Sequence, residues 1–375
     1  MRIVHVAPFY APVVGGVEEV VKKVAEYMAS RGCEVFVVTY NRLRSGGVGA
    51  LPRHEAMNGV CVIRLKPDFT WSYGTYSSEL PEVVRELRPD VVHVHVWRHP
   101  HVFQIAKLRK LMKFKAVLHG HAPFHTTHQV GFAVWLYHRL VDLIFKRHLD
   151  LYDIYIALTP HERDVVVQRL NLPSDKVVVI PNGINPPRNQ YHVSESDRRN
   201  RISYLGRISR EKNLPLLVKS MRYIVKTIKD AELVLVGPDE GLMKWIYGYA
   251  KSRGLTQAIR YLGPIYGDEK YRVYASSAVF ALPSLYEAFG ITLLEAGIVG
   301  TPSVITGEGG QLYVAPPGKA SILTEPDPEE YAKAIVMILS DKKVWKELGE
   351  GAKKNAEKYV WERILPMYKK LYDEA

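Results

Sequence analysis

The chain has 375 residues, of which 47% are hydrophobic and 24% are charged, and its formal net charge is +12. This length is sufficient for two domains, and the composition is typical of a globular protein. The two cysteines exclude a disulfide framework and a thiolate metal centre, and no apolar run approaches the roughly 20 residues that span a bilayer.

The positive charge is compatible with an anionic nucleotide, an anionic membrane surface or a nucleic acid as partner. The basic residues are spread along the chain and no nucleic-acid-binding motif is visible, so we expect no nucleic-acid partner. The first residues, Met1-Arg-Ile-Val-His-Val-Ala, are typical of a buried strand and not of a signal peptide. We therefore expect a cytoplasmic protein, and peripheral contact with the inner membrane face stays open.

Short apolar strands alternate with helices through the first half of the chain. The predicted strands are Arg2–Ala7, Cys33–Tyr40, Val60–Leu65, Asp90–Val96, Lys115–His119, Ile154–Leu158 and Val177–Ile180. The predicted helices are Val17–Arg31, Leu80–Leu87, Phe103–Lys113, Phe132–Leu149 and His161–Leu170. Because apolar residues occupy most of the circumference of Phe132–Leu149, we favour a buried helix there over a membrane-surface helix.

A polar stretch from residue 188 to 201 separates two such alternating halves. In the second half the predicted strands are Arg201–Leu205, Ala231–Val236, Ile259–Leu262, Ala278–Leu282, Pro302–Ile305 and Ser321–Leu323, and Pro328–Leu348 and Trp361–Tyr372 are predicted helices. Strand–helix alternation predicts an α/β fold of two Rossmann-like parallel-sheet domains with ligands in a cleft at the carboxyl ends of the strands. We place the domains at 1–185 and 186–345, followed by C-terminal helices at 346–375.

The run PSLYEAFGITLLEAGIVGTP, residues 283–302, carries the strongest functional signal. It follows a predicted strand, and a helix is predicted to begin just after Gly290. The free N–H groups and the positive dipole end of such a helix form an anion site. Glu295 leans back toward this site from the helix, and Glu287 lies in the loop before it. One carboxylate on each side of a bound phosphate matches a nucleotide-diphospho-sugar.

This run resembles the donor-site signature of the retaining glycosyltransferases of family 4, which have the GT-B architecture. The resemblance rests on Glu287 and Glu295 with seven residues between them, on the enclosed Phe-Gly and on the Gly-Thr-Pro that follows. It implies donor-binding roles for Glu287, Phe289, Gly290, Ile291, Leu294 and Glu295, and for Ile265 near the nucleotide base. It also implies that the C-terminal helices pack back on the first domain.

A basic loop, Gly206-Arg-Ile-Ser-Arg-Glu-Lys, follows the first strand of the second half. Negative charge grows on the departing diphosphate during glycosyl transfer, and fixed cations stabilise it without a metal. Arg207 and Lys212 match the family's arginine and lysine, although a solvated basic loop is the ordinary alternative. We therefore assign Arg207, Lys212 and Glu287 to catalysis and expect no cofactor and no metal.

Gly15 and Gly16 lie between the first strand and the first helix. They lack the spacing of a dinucleotide-binding loop and the lysine of an ATP-binding loop, so a simple tight turn is one interpretation. The resemblance implies the other interpretation, in which this loop faces the donor phosphate.

Nine histidines lie between residues 93 and 138. His93 and His95 share one face of a strand, which is compatible with metal binding. No carboxylate or thiolate cluster accompanies the histidines, so we predict no metal site. His119 ends its strand, and the resemblance implies that it contacts the transferred sugar and has a catalytic role; His121 is the alternative for that contact.

The resemblance implies a metal-independent enzyme that transfers a hexose from a GDP- or UDP-linked sugar to a carbohydrate or lipid-linked acceptor. A GT-B sugar-nucleotide epimerase and a non-catalytic nucleotide-sugar-binding module are the alternatives. One departure from the family follows Gly309-Gly310, where the chain has Gln311 in place of an acidic residue. This departure leaves the loop geometry near the sugar open.

Overall fold

The computed structural model describes residues 1–13, 15–43, 47–71, 74–121, 124, 127, 131–189, 191 and 200–374. The chain divides into two compact units, which are residues 1–182 with 361–375, and residues 183–360. Each unit is built on one large, mostly parallel sheet. The α/β fold with two Rossmann-like domains is thus confirmed.

The first unit contains a sheet in the order β10-β9-β8-β7-β1-β2-β4-β3, in which only β3 runs antiparallel to its neighbour. Its strands are β1 (Arg2–Val6), β2 (Glu34–Tyr40), β3 (His54–Met57), β4 (Val60–Leu65), β7 (Val91–His95), β8 (Lys115–His119), β9 (Ile154–Ala157) and β10 (Val177–Val179). A separate hairpin consists of β5 (Phe69–Trp71) and β6 (Gly74–Tyr76). The strand order reverses between β1 and β7, which marks the ligand-binding edge of such sheets.

The helices of the first unit cover both faces of this sheet, as a parallel sheet requires. They are α1 (Gly16–Ser30), α2 (Leu80–Leu87), α3 (Pro100–Arg109), α4 (Phe132–Phe145) and α5 (Pro160–Leu170). The chain returns to this unit at its end through α13 (Trp361–Asp373), whose buried Trp361 and Tyr368 share a core cluster with Val20 and Val24 of α1.

The second unit contains a six-stranded parallel sheet in the order β13-β12-β11-β14-β16-β18. Its strands are β11 (Arg201–Leu205), β12 (Glu232–Val236), β13 (Ile259–Tyr261), β14 (Val279–Leu282), β16 (Ser303–Thr306) and β18 (Ser321–Thr324), and β15 (Tyr286–Glu287) pairs separately with β17 (Glu308–Gly309). In order of appearance this sheet reads 3-2-1-4-5-6, the dinucleotide-binding order, with its switch point between β11 and β14.

Two neighbouring helices of the second unit were predicted from the sequence as a single helix. The helices of this unit are α6 (Leu214–Thr227), α7 (Met243–Ser252), α8 (Glu269–Ala275), α9 (Ile291–Ile298), α10 (Gln311–Val314), α11 (Pro328–Ser340) and α12 (Lys342–Ala356). The single helix predicted over Pro328–Leu348 is wrong, because the Asp341 side chain accepts hydrogen bonds from the amides of Lys343 and Val344 and starts a new helix. The predicted boundary at residue 345 falls within α12, whereas the chain leaves the second unit at residue 360. The predicted linker over 188–201 lies mostly outside the described residues.

Helix α4 departs from its predicted burial. Its large apolar side chains recur at helical spacing and are exposed: Phe132, Leu136, Leu140, Leu143 and Ile144. The opposite side holds buried Val141 and Asp142, so a narrow face attaches the helix to the first unit. The expectation of a largely buried helix was therefore wrong. Within the described part of the chain, no helix has the length and apolarity needed to cross a bilayer.

Candidate donor-binding site

Two loops meet at the switch point of the second sheet, one after β11 and one after β14. Lys212, in the first loop, places Nζ 2.7 Å from Oε1 of Glu287 in the second. Both side chains are mostly buried, with 24% of Lys212 and 14% of Glu287 exposed. The Asn213 side chain donates to the carbonyl of Pro283 at 3.0 Å and joins the same two loops. The structure therefore brings these two predicted catalytic residues together.

Arg207 lies in the loop after β11 but is held by other partners. Its guanidinium contacts Glu240 at 3.1 Å and Glu211 at 3.2 Å, and about half of the side chain is exposed. Burial alone would lower the pKa of Arg207, but the hydrogen bond and charge of Glu240 outweigh it and the pKa rises. Exposed ion pairs of this kind contribute little and exchange partners easily, so the guanidinium is available to an incoming anion.

Helix α9 begins directly after the loop that carries Glu287. Its N-cap residue, Gly290, has φ +93° and ψ 52°, a left-handed conformation that favours glycine. No side chain caps the start of this helix. The first amides of α9 are therefore not satisfied by a capping side chain, which suits an anion at this position.

Glu295 projects from the second turn of α9 and is nearly buried, with 8% exposed. Its Oε1 lies 2.5 Å from Nζ of Lys270, and its Oε2 accepts a hydrogen bond from the Tyr274 hydroxyl at 3.1 Å. Both partners come from α8, a helix that lies between two predicted strands and for which no bounds were predicted from the sequence. Burial is the main cause that raises the pKa of Tyr274, and the charge of Glu295 raises it further. The hydroxyl therefore stays protonated and donates.

The remaining donor-site candidates of the second unit differ in how far their side chains are buried. Phe289 and Leu294 are buried, and the Phe289 ring packs edge-on against Tyr359 at 5.9 Å. These two side chains belong to the core, which leaves only their backbone atoms for a ligand. Ile265 and Ile291 are partly exposed.

The glycine run before Gln311 packs directly on the loop that carries Glu287. A Cβ on Gly310 would lie 2.3 Å from the carbonyl oxygen of Ala288, and the Gly310 amide donates to the Glu287 carbonyl at 2.7 Å. Gln311 is fully buried, and its side-chain amide donates to the carbonyls of Ser284 and Thr306. The departure from the family pattern thus has a structural role, because Gln311 fastens this loop to the sheet.

We expect Gly310→Ala to destabilise the protein by about 1–3 kcal/mol, because the new methyl group meets backbone that is unable to rotate away. Gly248→Ala, in α7, is the matched control, since a Cβ there would meet nothing within 4 Å and alanine favours a helix. Urea unfolding measures both. Equal stability of the Gly310 variant and the wild type would contradict the assigned packing.

The first unit contains the other predicted site residues. Gly15 has an extended backbone with φ 179°, and a Cβ on Gly16 would meet nothing within 4 Å. The backbone of Gly15 is one that any residue adopts, and the space beside Gly16 at the start of α1 is open. His119 ends β8 as predicted, is fully buried, and has no hydrogen-bond partner for either ring nitrogen among the described residues.

His119 is one of five histidines, His5, His93, His95, His119 and His121, that form what we call the histidine cluster. Strand register places His5 beside His93 and His95 beside His119. Burial, followed by the charges of neighbouring rings, lowers the pKa of the three on β7 and β8 well below the usual value. Burial also lowers the pKa of His5 and of His121 to about 3. The cluster is therefore uncharged at neutral pH.

Sequence reasoning missed Lys270, Tyr274 and Glu240 at the second-unit site and His5 in the histidine cluster. The first three belong to no motif, because their positions follow from how α8 and the β12 loop pack. His5 carried a signal, since a histidine inside the apolar strand Arg2–Val6 is unusual and that strand was expected to be buried.

The two halves of the chain match two protein families. Residues 14–188 match the family described as Glycosyltransferase Family 4, and residues 188–355 match the family described as Glycosyl transferases group 1. The first match includes Gly15, Gly16 and His119. The second includes every candidate site residue of the second unit.

The chain is also similar to individual proteins over nearly its whole length. An uncharacterized glycosyltransferase of Methanocaldococcus jannaschii is 29% identical over 97% of this chain and 96% of its own length. Sucrose-phosphate synthase from Thermosynechococcus elongatus has a TM-score of 0.80 at 21% identity, covering 100% of this chain and 98% of the other. Anabaena HepE, solved in complex with UDP and glucose, has a TM-score of 0.75 at 18% identity and covers all of both chains. Those two structures show the shared fold, and together with the family matches they establish that this chain belongs to the GT-B glycosyltransferases of the family 4 type.

Proposed function

We propose that this glycosyltransferase moves a hexose from a GDP- or UDP-linked donor to a carbohydrate or lipid-linked acceptor, with retention at the anomeric carbon. The observation that carries the proposal is the Lys212–Glu287 pair, which joins two loops at the switch point beside the uncapped start of α9. That Anabaena HepE was solved with UDP and glucose supports a nucleotide-sugar donor.

In this proposal the diphosphate binds at the start of α9, between the helix amides and the cations Arg207 and Lys212. The dipole of the helix and the two side chains stabilise the negative charge that grows on the leaving diphosphate. Because these groups supply the positive charge, transfer needs no metal at the phosphates. Turnover is therefore expected to persist in buffer containing EDTA.

The two glutamates are assigned to different sugars of the donor. We assign the ribose hydroxyls to Glu295 and the hexose hydroxyls to Glu287. A carboxylate has about four lone-pair positions, so Glu295 is able to accept from a ribose while it keeps one of its partners in α8. Gly290, with the backbone of Phe289, Ile291 and Leu294, lines the phosphate side, and Ile265 lies toward the base.

The bond changes of the proposed transfer need no nucleophile from the enzyme. The acceptor oxygen bonds to the anomeric carbon while the bond from that carbon to the diphosphate oxygen breaks. The acceptor proton passes to a phosphate oxygen of the departing diphosphate. The roles of His119 toward the sugar and of Gly15 and Gly16 toward the phosphate stay predictions from the family resemblance.

We expect Glu295→Gln to weaken binding of the donor nucleotide by about 10–100-fold, because hydrogen bonds to a charged acceptor contribute about 1.5–3 kcal/mol. The variant should also lose the preference for a ribonucleotide over its deoxyribose analogue. Calorimetric titration measures both quantities. The control is Glu269→Gln, an exposed change on α8 next to Lys270. If the Glu295 variant kept the wild-type affinity and the preference for ribose, the assignment of the ribose hydroxyls to Glu295 would be contradicted.

A thermal-shift panel tests the donor assignment. The panel contains GDP-mannose, UDP-glucose, UDP-N-acetylglucosamine, ADP-glucose and the bare nucleotides, each with EDTA and no added metal. A ligand that binds the native state raises the melting temperature by mass action. A shift with a GDP or UDP series supports the proposal and names the base; no shift with any nucleotide contradicts it.

The exposed stripe of α4 supports peripheral membrane contact and with it a lipid-linked acceptor. The stripe runs from Phe132 to Ile144, and Arg139, Lys146 and Arg147 lie along or just after the helix. Apolar side chains next to basic ones suit the interface of an anionic bilayer.

We therefore expect the wild type to sediment with vesicles that contain equal amounts of neutral and anionic phospholipid. The double change Leu140→Glu and Leu143→Glu should reduce the bound fraction severalfold, because it places two charges in the apolar stripe. Leu111→Glu is the control, since Leu111 is an exposed leucine outside α4. An equal loss in the control, or no vesicle binding by the wild type, would argue against membrane contact.

A further inference from the structure

The histidine cluster occupies the edge of the first sheet where the strand order reverses. His5 stands opposite His93 in the register of β1 and β7, and His95 stands opposite His119 in the register of β7 and β8. His121 follows β8 in a left-handed conformation with φ 56°, which stacks its ring on His119 at 3.8 Å. Three neighbouring strands thus direct five imidazoles into one small volume.

The nitrogens of the histidine cluster are poorly satisfied by protein groups. Both ring nitrogens of His119, Nε2 of His5 and Nε2 of His93 are buried and have no hydrogen-bond partner within the described residues. Buried polar atoms in proteins almost always have a partner. Four such atoms in one cluster of neutral rings indicate a ligand that accepts several nitrogen lone pairs, and a metal cation meets that description.

Two overlapping triads have the spacing that a metal needs. In His95–His119–His121, and again in His5–His93–His95, one nitrogen from each ring lies within 4.8 Å of the other two. Tetrahedral coordination at about 2.0–2.1 Å places ligand nitrogens roughly 3.3 Å apart, so a small closure of either triad suffices. In the first triad His95 Nδ1 and His121 Nε2 are already 3.0 Å apart.

The first triad is the better ligand set for two reasons. His121 is partly exposed, which gives an ion a route from solvent, whereas the three rings of the second triad are fully buried. The second triad supports the first through His5, whose Nδ1 lies 3.1 Å from the other nitrogen of His95, whereas Tyr372 contacts Nδ1 of His93, which is not a ligand, at 2.5 Å. Metal-binding histidines are usually oriented by such contacts to the second ring nitrogen.

We propose that His95, His119 and His121 bind one divalent transition-metal ion of the Zn²⁺ type, with the fourth position open to water or to a hydroxyl group. Three imidazoles suit Zn²⁺, Ni²⁺ or Cu²⁺, and they do not suit Mg²⁺, which prefers oxygen ligands. This site lies in the first unit, and apart from His119, which the family resemblance also assigns to the sugar, it shares no residue with the proposed donor site. It departs from the expectation of no metal, because strand pairing and His121 supply the convergence that sequence spacing alone did not reveal.

The test uses the untagged full chain, freed of metal by a chelator and titrated with Co²⁺ as a spectroscopic substitute for Zn²⁺. We expect one equivalent to bind, with the visible absorption of a four-coordinate Co²⁺ ion, and Zn²⁺ to displace it. Loss of a supporting residue alone typically costs about 10–100-fold in metal affinity, so His121→Ala should cost at least about 100-fold. Because His121 is the partly exposed ligand, this variant is the one expected to keep its fold, which circular dichroism verifies.

Three further variants make the result specific. His93→Ala belongs to the second triad and should retain Co²⁺ within about tenfold. His54→Ala and His161→Ala, both exposed and outside the histidine cluster, should not change the affinity. The proposal is overturned if no stoichiometric Co²⁺ binds, if His121→Ala binds as the wild type does, or if binding is lost in His93→Ala and kept in His121→Ala.

Discussion

Lys212→Ala is expected to lower the turnover of donor sugar by at least about 100-fold, the usual cost of removing one preorganised group that stabilises charge in a transition state. The ammonium lies in a mostly buried position, 2.7 Å from Glu287 and next to the start of α9. In the proposed reaction it stabilises the diphosphate as the bond to the sugar breaks. Initial rates at saturating donor measure the effect.

Two control variants separate this role from a structural one. Lys219→Ala removes an exposed lysine from α6, the helix that follows Lys212, and should leave the rate unchanged. The double variant Lys212→Ala with Glu287→Ala removes the unpaired carboxylate that the single variant leaves behind. If the pair were only structural, the double variant would recover activity. A rate within twofold of the wild type for Lys212→Ala would contradict the assigned role.

Asp142→Ala is expected to destabilise the first unit by about 3–5 kcal/mol, because it leaves a buried guanidinium without its carboxylate. Arg98 donates to both carboxylate oxygens of Asp142 at 2.8 Å, and the indole of Trp97 donates to Oδ1 at 2.9 Å. Both members of the ion pair are more than nine-tenths buried. Urea unfolding followed by circular dichroism and tryptophan fluorescence measures the change.

The matched control for that variant is Glu82→Ala, which breaks an exposed ion pair with Arg85 and should change stability very little. Arg98→Met combined with Asp142→Leu should be less destabilised than Asp142→Ala alone, since no charge then stays buried. A midpoint for Asp142→Ala that matches the wild type would show that the pair does not anchor α4.

Much of the fold was predictable because its elements are locally determined. Strands such as Lys115–His119 and helices such as Leu80–Leu87 have the predicted bounds, since a continuous apolar run or an amphipathic period defines each of them. The short pair β15 and β17 was missed, because it depends on contact between two distant loops.

Helix α4 shows why apolar composition does not establish burial. Its apolar residues surround most of the helix, yet only a narrow face with Val141 and Asp142 packs on the first unit. The single carboxylate that sequence reasoning would place in solvent is the buried anchor. Its partner Arg98 lies 44 residues earlier, and no local pattern connects the two.

The residues of the candidate site that belong to a motif were predictable from the sequence. The residues that reach the site only through tertiary packing were not. Glu287, Glu295 and Lys212 follow from spacing and from their positions after strands. Lys270, the partner of Glu295, comes from a helix that was expected between two strands but belongs to no motif. His5 joins its cluster only through the pairing of β1 with β7.

The fate of the donor's anomeric bond tests the central claim most directly. The protein, in stoichiometric amount and with EDTA, is incubated with the nucleotide sugar that stabilises it most, with water or an added glycoside as acceptor, and followed by phosphorus and proton NMR. The account predicts a released nucleoside diphosphate and a sugar that first appears with the anomeric configuration of the donor. An intact but epimerised nucleotide sugar, or a donor that binds and stays unchanged while the wild-type protein is folded, would contradict it.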